Sequence, residues 1–227
     1  MSALTPRLSC AAELVRQDAV LADIGTDHAY LPLFLLKERR IRFAYLTDIN
    51  EGPLRSAEEN ARESGFRNLT ETRLTDGAGE LSGLGITDYT VCGMGGELIA
   101  DIISKAGHLR DGDIRLILQP MTRQEHLRHY LYSEGFRISR ELYSTEGDKC
   151  YVCMLASYVG EPKELTPLES YIGAENTEIV NRDLQNSYLK KKLAALRRMI
   201  DGKRKSGISD PEADSLADAV ARYIRGE

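Results

Sequence analysis

The sequence predicts an α/β fold, a mainly parallel sheet with helices on both faces, followed by a helical tail. Three observations predict it. Strand-like apolar runs alternate with helical ones as far as residue 160. The first of them, Ala19-Val20-Leu21-Ala22, stops at Asp23-Ile24-Gly25, as a buried strand does where it meets a ligand at the carboxyl edge of a parallel sheet. Beyond Glu161-Pro162 and Thr166-Pro167 the pattern changes to long helix.

Phe43 to Asp48 reads as the second strand, and Pro53 after Gly52 opens a helix that Gly65 ends. Leu69 to Leu74 is the third strand. Asp88 to Cys92 is the fourth, followed by a glycine-rich turn and a helix from about Glu97 to Lys105, closed by Gly107. Ile114 to Leu118 is the fifth. Thr122 with Glu125 predicts a capping box opening a helix that stops at Gly135. Residues 136–146 and 150–158 read as a hairpin, which completes a seven-stranded sheet. In the tail, Val180, Leu184, Tyr188, Leu193, Leu196 and Ile200 form one apolar stripe, which Gly202 and Gly207 break. Ser209 with Glu212 predicts a second capping box, and Ala213, Leu216, Val220 and Tyr223 continue a narrow stripe. Two antiparallel helices paired as a short coiled coil are expected. The division that follows is 1–160 for the sheet domain and 161–227 for the helical one.

With 227 residues, 42% of them hydrophobic, the chain can bury a full core. Its longest apolar runs, such as Leu31 to Leu36 broken by Pro32, fall short of a membrane span, and the N-terminus lacks a signal peptide's apolar core. A cytoplasmic protein is expected, with its four cysteines as reduced thiols; the sequence does not fix the oligomeric state, and a monomer is only slightly favoured. Cys150 and Cys153 lie three apart in a strand-like run and so point to opposite faces, which disfavours a disulfide or a shared metal. His126 and His129 beside Glu125 lack a third ligand for zinc and fit an exposed amphipathic helix, so no metal is expected.

The net charge of −5 argues against a protein coated for nucleic acid. The average hides an asymmetry: residues 1–160 carry 18 basic and 23 acidic side chains, and residues 161–227 carry 12 of each. Within the tail, Lys190, Lys191, Lys192, Arg197, Arg198, Lys203, Arg204 and Lys205 form a basic stretch interrupted by one acid, Asp201. A solvated helix face is the commoner meaning of such a run.

The turn after the first strand narrows the ligand. Only glycine lets a backbone approach a ligand without a Cβ in the way, which singles out Gly25. A dinucleotide fingerprint wants further glycines where Asp27 and Ala29 stand, so a pyrophosphate is disfavoured and a phosphate-free cofactor such as S-adenosylmethionine fits better. Asp48, ending the second strand, suits both ribose hydroxyls, Asp76 before Gly77 suits an adenine amine, and Ile49 offers that ring an apolar face. Taken singly, strand-end aspartates are as often turn formers or caps. The small residues of Cys92-Gly93-Met94-Gly95-Gly96 leave room for a base after the fourth strand.

Taken together these residues resemble the bacterial tRNA adenine-22 N1-methyltransferases, a class I S-adenosylmethionine-dependent family with a Rossmann-like sheet and a C-terminal coiled coil. The resemblance rests on Leu4-Thr5-Pro6-Arg7-Leu8, on the ten residues from Asp23 to Pro32, on Asp48 with Gly52-Pro53, on Asp76-Gly77, on Gly93-Met94-Gly95-Gly96 and on Gln119-Pro120. It implies that Arg7, Gly25, Asp48, Asp76, Gly77 and Gly93 line the cofactor. Asp27, Gly95 and Gly96 would then stand at the reacting face, with His28 and Met94 against the adenine and Lys191, Arg197 and Arg198 on tRNA. Two rivals use the same motifs: a small-molecule methyltransferase, which the basic tail disfavours, and a non-catalytic cofactor-binding adaptor, which intact Asp48, Asp76 and the glycine loop disfavour.

Overall fold

Pro6 opens α1 (Pro6–Leu14), and an apolar run then makes β1 (Ala19–Ile24), buried along almost its whole length. The computed structural model describes residues 4–227, so the first three residues of the expected sheet domain lie outside it. Alternation continues through α2 (Tyr30–Lys37), β2 (Ile41–Asp48), α3 (Glu51–Glu63), β3 (Thr70–Leu74), β4 (Asp88–Gly95), α4 (Gly96–Lys105), β5 (Arg115–Thr122) and α5 (Gln124–Ser133). The hairpin β6 (Phe136–Glu146) and β7 (Lys149–Tyr158) follows. The tail holds α6 (Pro167–Ile172), β8 (Glu178–Ile179), α7 (Arg182–Lys205) and α8 (Pro211–Arg225).

The strands lie in the order β3-β2-β1-β4-β5-β7-β6-β8. The first five are mutually parallel and β7 runs antiparallel to both of its neighbours. Strand order reverses between β1 and β4, and the crevice outside their carboxyl ends is where such sheets bind ligands. The seven predicted strands are all present. An eighth, the two-residue β8, pairs parallel with β6 and joins the sheet from the tail; it is too short to leave a sequence signal.

Helix starts differ from expectation in three places: α3 already begins at Glu51, two residues before Pro53, and neither predicted capping box forms. Thr122 remains in β5 and makes no cap; α5 begins instead after Arg123, whose backbone is left-handed at φ 56°. The Asp210 side chain, one residue beyond Ser209, accepts the Ala213 N–H and caps α8. A full capping box does form at Thr166 and Glu169, opening α6. Gly202 lies inside α7, which runs on to Lys205 and is released by Gly207 at φ 76°.

The pair α7 and α8 is antiparallel, since Arg182 near the start of α7 donates to the Tyr223 hydroxyl near the end of α8 at 2.6 Å. The pair is not freestanding. Tyr188, Leu189, Leu193 and Val220 belong to the same apolar cluster as Leu127, Leu131, Phe136 and Met154 of the sheet region. At its centre Arg128 and Glu141 are fully buried, joined Nε to Oε1 at 2.6 Å and Nη2 to Oε2 at 3.0 Å. Arg128 Nη1 also donates to the carbonyls of Ser170 (3.1 Å) and Tyr171 (3.3 Å), which fastens α6 to the sheet. Gln185, also buried, donates to the Ile172 carbonyl at 3.0 Å and fastens α7 to α6.

Candidate active site

Strand register brings together three of the sequence-predicted cofactor residues, and loop hydrogen bonds add a fourth. Ile24 pairs with Thr47 on one side and Val91 on the other, so Gly25, Asp48 and Cys92-Gly93 emerge side by side at the carboxyl edge. The Thr26 N–H donates to the Thr47 carbonyl (2.7 Å) and the Thr75 N–H to the Asp48 carbonyl (3.0 Å), which brings the Asp76 loop beside Asp48.

Gly25 is left-handed at φ 73°, and a Cβ there would stand 2.1 Å from Met94 Cε. Its missing side chain therefore makes space that the Met94 thioether tip reaches. Gly77 (φ 144°) and Gly93 (φ 80°) also hold backbone that favours glycine. Gly96 has no room at all: a Cβ would lie 2.4 Å from the Arg123 carbonyl oxygen, so the end of the glycine loop is clamped on the β5–α5 turn. Gly95 lies in register with Thr122, the last residue of β5.

Asp48 Oδ1 accepts the Asn50 N–H at 2.8 Å, while Oδ2 makes no hydrogen bond within the described residues and stays available to a ligand. Ile49 beside it is 67% exposed, an apolar side chain held in the open at the edge. Asp23, just inside the crevice, is buried and takes the Thr90 hydroxyl at 2.7 Å. Burial pushes its pKa up to about 6 against the pull of that hydrogen bond. Cys92 is pushed up by burial and by the charge of Asp23, which keeps it a thiol and not a nucleophilic thiolate.

Gln119 ties three parts together. Fully buried among the apolar residues of β5, its Oε1 accepts the Gly93 N–H (3.0 Å) and Arg7 Nη1 (3.1 Å). Arg7 is held in turn by its N–H to Glu146 Oε1 at 2.9 Å. Gln119 and Asp23 received no site role from the sequence, although an amide and an acid inside buried strands were the available signal.

Asp27 and His28 stand on the turn between β1 and α2. Ala29, buried and left-handed at φ 56°, holds this turn in a conformation costly for a residue with a Cβ. The Asp27 carboxylate is 79% exposed and caps nothing; His28 Nε2 lies 3.6 Å away. Asn60 of α3 donates to the His28 carbonyl at 3.0 Å and steadies the turn from outside.

The predicted RNA contacts lie elsewhere, on α7, and the basic stretch divides. Lys192 faces inward, paired with Glu125 at 2.7 Å and 4.5 Å from the centre of the Tyr171 ring, while Lys203 and Arg204 pair with Asp210 and Asp214. Lys190, Arg197, Arg198 and Lys205 are exposed and make no ion pair among the described residues. Lys191 Nζ donates to the Asp148 carbonyl in the β6–β7 turn. Because β6 runs parallel to β5, that turn sits on the carboxyl edge of the sheet, and the exposed cations begin where the crevice ends. The engagement of Glu125 by Lys192 leaves His126 and His129 without a carboxylate partner on their own helix, and among the described residues no group of three His, Cys, Asp or Glu side chains is placed to hold a metal ion. All four cysteines are free.

Comparison with known proteins agrees with this fold. A family model described as a methyltransferase domain matches residues 4–154. The tRNA (adenine(22)-N(1))-methyltransferase of Bacillus subtilis is 38% identical over 154 residues, 67% of this chain and 64% of that protein, slightly under two thirds of the relative's own length. Solved structures match over nearly the whole chain. TrmK of M. capricolum, in complex with S-adenosylhomocysteine, has a TM-score of 0.81 at 27% identity and covers 98% of each chain. A putative tRNA (m1A22) methyltransferase of Streptococcus pneumoniae, in complex with S-adenosyl-L-methionine, has a TM-score of 0.81 at 27% identity, covering 96% of this chain and 99% of that one. The chain with its crevice of Gly25, Asp48, Gly77 and Gly93 belongs to the methyltransferase domain family.

Proposed function

We propose that this protein is an S-adenosylmethionine-dependent methyltransferase acting on N1 of an adenine in tRNA, adenine 22 by the likeness to the Bacillus subtilis relative. One observation carries the reading: at the carboxyl edge of the sheet Asp48 Oδ2 stands open beside left-handed Gly25, next to a glycine loop and to the exposed Asp27 turn. The residues fit the cofactor. Asp48 would hold the ribose, Ile49 and Asp76 the adenine, and Gly25, Gly77 and Gly93 would admit its backbone-facing side, with Arg7 pinned beside Gly93. S-adenosylmethionine supplies an electrophilic methyl group.

N1 of adenine carries its lone pair in the ring plane, so no proton leaves N1 before the bond forms and positioning supplies most of the rate. Asp27 and His28 orient the base from one side, while Met94, Gly95 and Gly96 leave it room on the other. The carboxylate of Asp27 offsets the positive charge that appears on the methylated base. In folded RNA the target is extruded at a cost of a few kcal/mol. Lys191, Arg197 and Arg198 hold phosphates meanwhile, starting from the edge where the crevice opens. The protein works in the cytoplasm, where tRNA is; no helix among the described residues is long and apolar enough to cross a membrane.

Two outcomes follow. Asp48→Ala is expected to weaken S-adenosylmethionine about 10- to 100-fold by removing a charge-assisted bond, measured by calorimetry, and an unchanged Kd rejects the ribose assignment. Charge reversal at Lys191, Arg197 and Arg198 in the full chain should flatten the salt dependence of tRNA binding by about one unit of slope per lost phosphate contact. Equal slopes for variant and parent in filter binding would make this face merely solvated.

A further inference from the structure

A cavity apart from the crevice contains none of the residues assigned to the cofactor, the target base or the RNA. Its volume is about 680 Å³, within the range of small-ligand sites. It opens between the start of α1, the outer face of α2 and the end of α3, and Tyr30, Phe34, Lys37, Asn60, Glu63 and Phe66 line it. Two contacts connect it to the Asp27-His28 turn. Tyr30, 53% exposed, stands with its ring 5.2 Å from that of His28, centre to centre and tilted by 32°. Asn60 reaches from the cavity wall to the His28 carbonyl. The His28 and Tyr30 rings therefore join the Asp27-His28 turn to the cavity wall.

We infer that this cavity is a second base-binding site, which takes an unpaired nucleobase of the same RNA beside the one being methylated; the inference rests on the reading under Proposed function. The occupant is fixed by the lining. Tyr30, Phe34 and Phe66 supply ring faces of the kind on which bases stack. Glu63, which makes no ion pair among the described residues, is an acceptor-only group and matches a base edge with adjacent N–H donors, as guanine presents. Lys37 at the wall is exposed and suits a single phosphate. Occupation of this cavity would hold the RNA beside the Asp27-His28 turn through elements other than α7.

The test uses the full chain with tRNA transcripts. Tyr30→Ala and Glu63→Gln should each raise KM for tRNA about five-fold or more, with kcat nearly kept, S-adenosylmethionine affinity kept and thermal unfolding unchanged. Tyr30→Phe should restore the parent KM. Replacing each unpaired guanine near the target by inosine, which lacks the second donor, should reproduce the Glu63→Gln defect at one position and add nothing to that variant. A parent that methylates tRNA, with Tyr30→Ala and Glu63→Gln showing parent KM, overturns the second site alone. A parent that binds cofactor yet methylates no tRNA overturns the functional reading and this site with it.

Discussion

Arg128→Ala is expected to destabilise the folded chain by about 3–5 kcal/mol, because it leaves the Glu141 carboxylate buried without its cation. Few single changes in this molecule should cost more. The same change frees the carbonyls of Ser170 and Tyr171, so α6 loses its attachment to the sheet. Replacing both partners by apolar residues, Arg128→Met with Glu141→Leu, should recover most of that loss, since two charges then leave the core together. Unfolding midpoints in urea separate the cases; an Arg128→Ala midpoint close to the parent would show that water reaches the pair. A chain ending near residue 160 meets the same difficulty on a larger scale. It uncovers Arg128, Glu141 and the apolar surface that Tyr188, Leu189, Leu193 and Val220 cover. Aggregation is the expected result, in place of the independently folding sheet domain that the change of pattern after Glu161-Pro162 predicts. Cooperative unfolding of a 1–160 fragment with parent cofactor affinity would contradict this.

Asp27→Ala should lower kcat about 100-fold and leave S-adenosylmethionine affinity within about two-fold. The reason is where the carboxylate stands. It caps no helix, it is 79% exposed, and the left-handed Ala29 fixes the turn that presents it. Little of the fold depends on it, so its loss should be felt by the charge that develops on the base. Asp27→Asn keeps the shape and a hydrogen-bonding oxygen but removes the charge, and an intermediate kcat is expected. If turnover and cofactor affinity fall in parallel, or if melting drops, Asp27 is a structural residue.

Much of the candidate crevice was legible in the sequence because its geometry is backbone chemistry at strand ends. Glycine at a position that needs φ 73°, an acid closing β2 and a small-residue loop after β4 are local signals, and register then brings them together without further instruction. What escaped is long-range. Gln119 acquires its role only when β5 lies beside β4 and α1 folds back on both, and no spacing along the chain encodes that. No local signal marks Arg128 and Glu141 as buried; they become a core pair only when the tail closes over them. The basic stretch misled in part for the same reason: Lys192, Lys203 and Arg204 serve the packing of the tail, which side-chain type alone does not reveal. The predicted cap at Thr122 failed because β5 extends four residues past Leu118 and the turn that follows is set by Arg123.

The most direct measurement is to incubate bulk tRNA with the full-length protein and S-adenosylmethionine carrying a labelled methyl group, then to locate the label by nuclease digestion and mass spectrometry. The predicted result is a single methylated nucleoside, 1-methyladenosine at position 22, with the label absent when Asp27→Ala is used at limiting time. Label on another nucleotide or atom, or none on tRNA from a protein that binds the cofactor, would contradict the adenine N1 assignment.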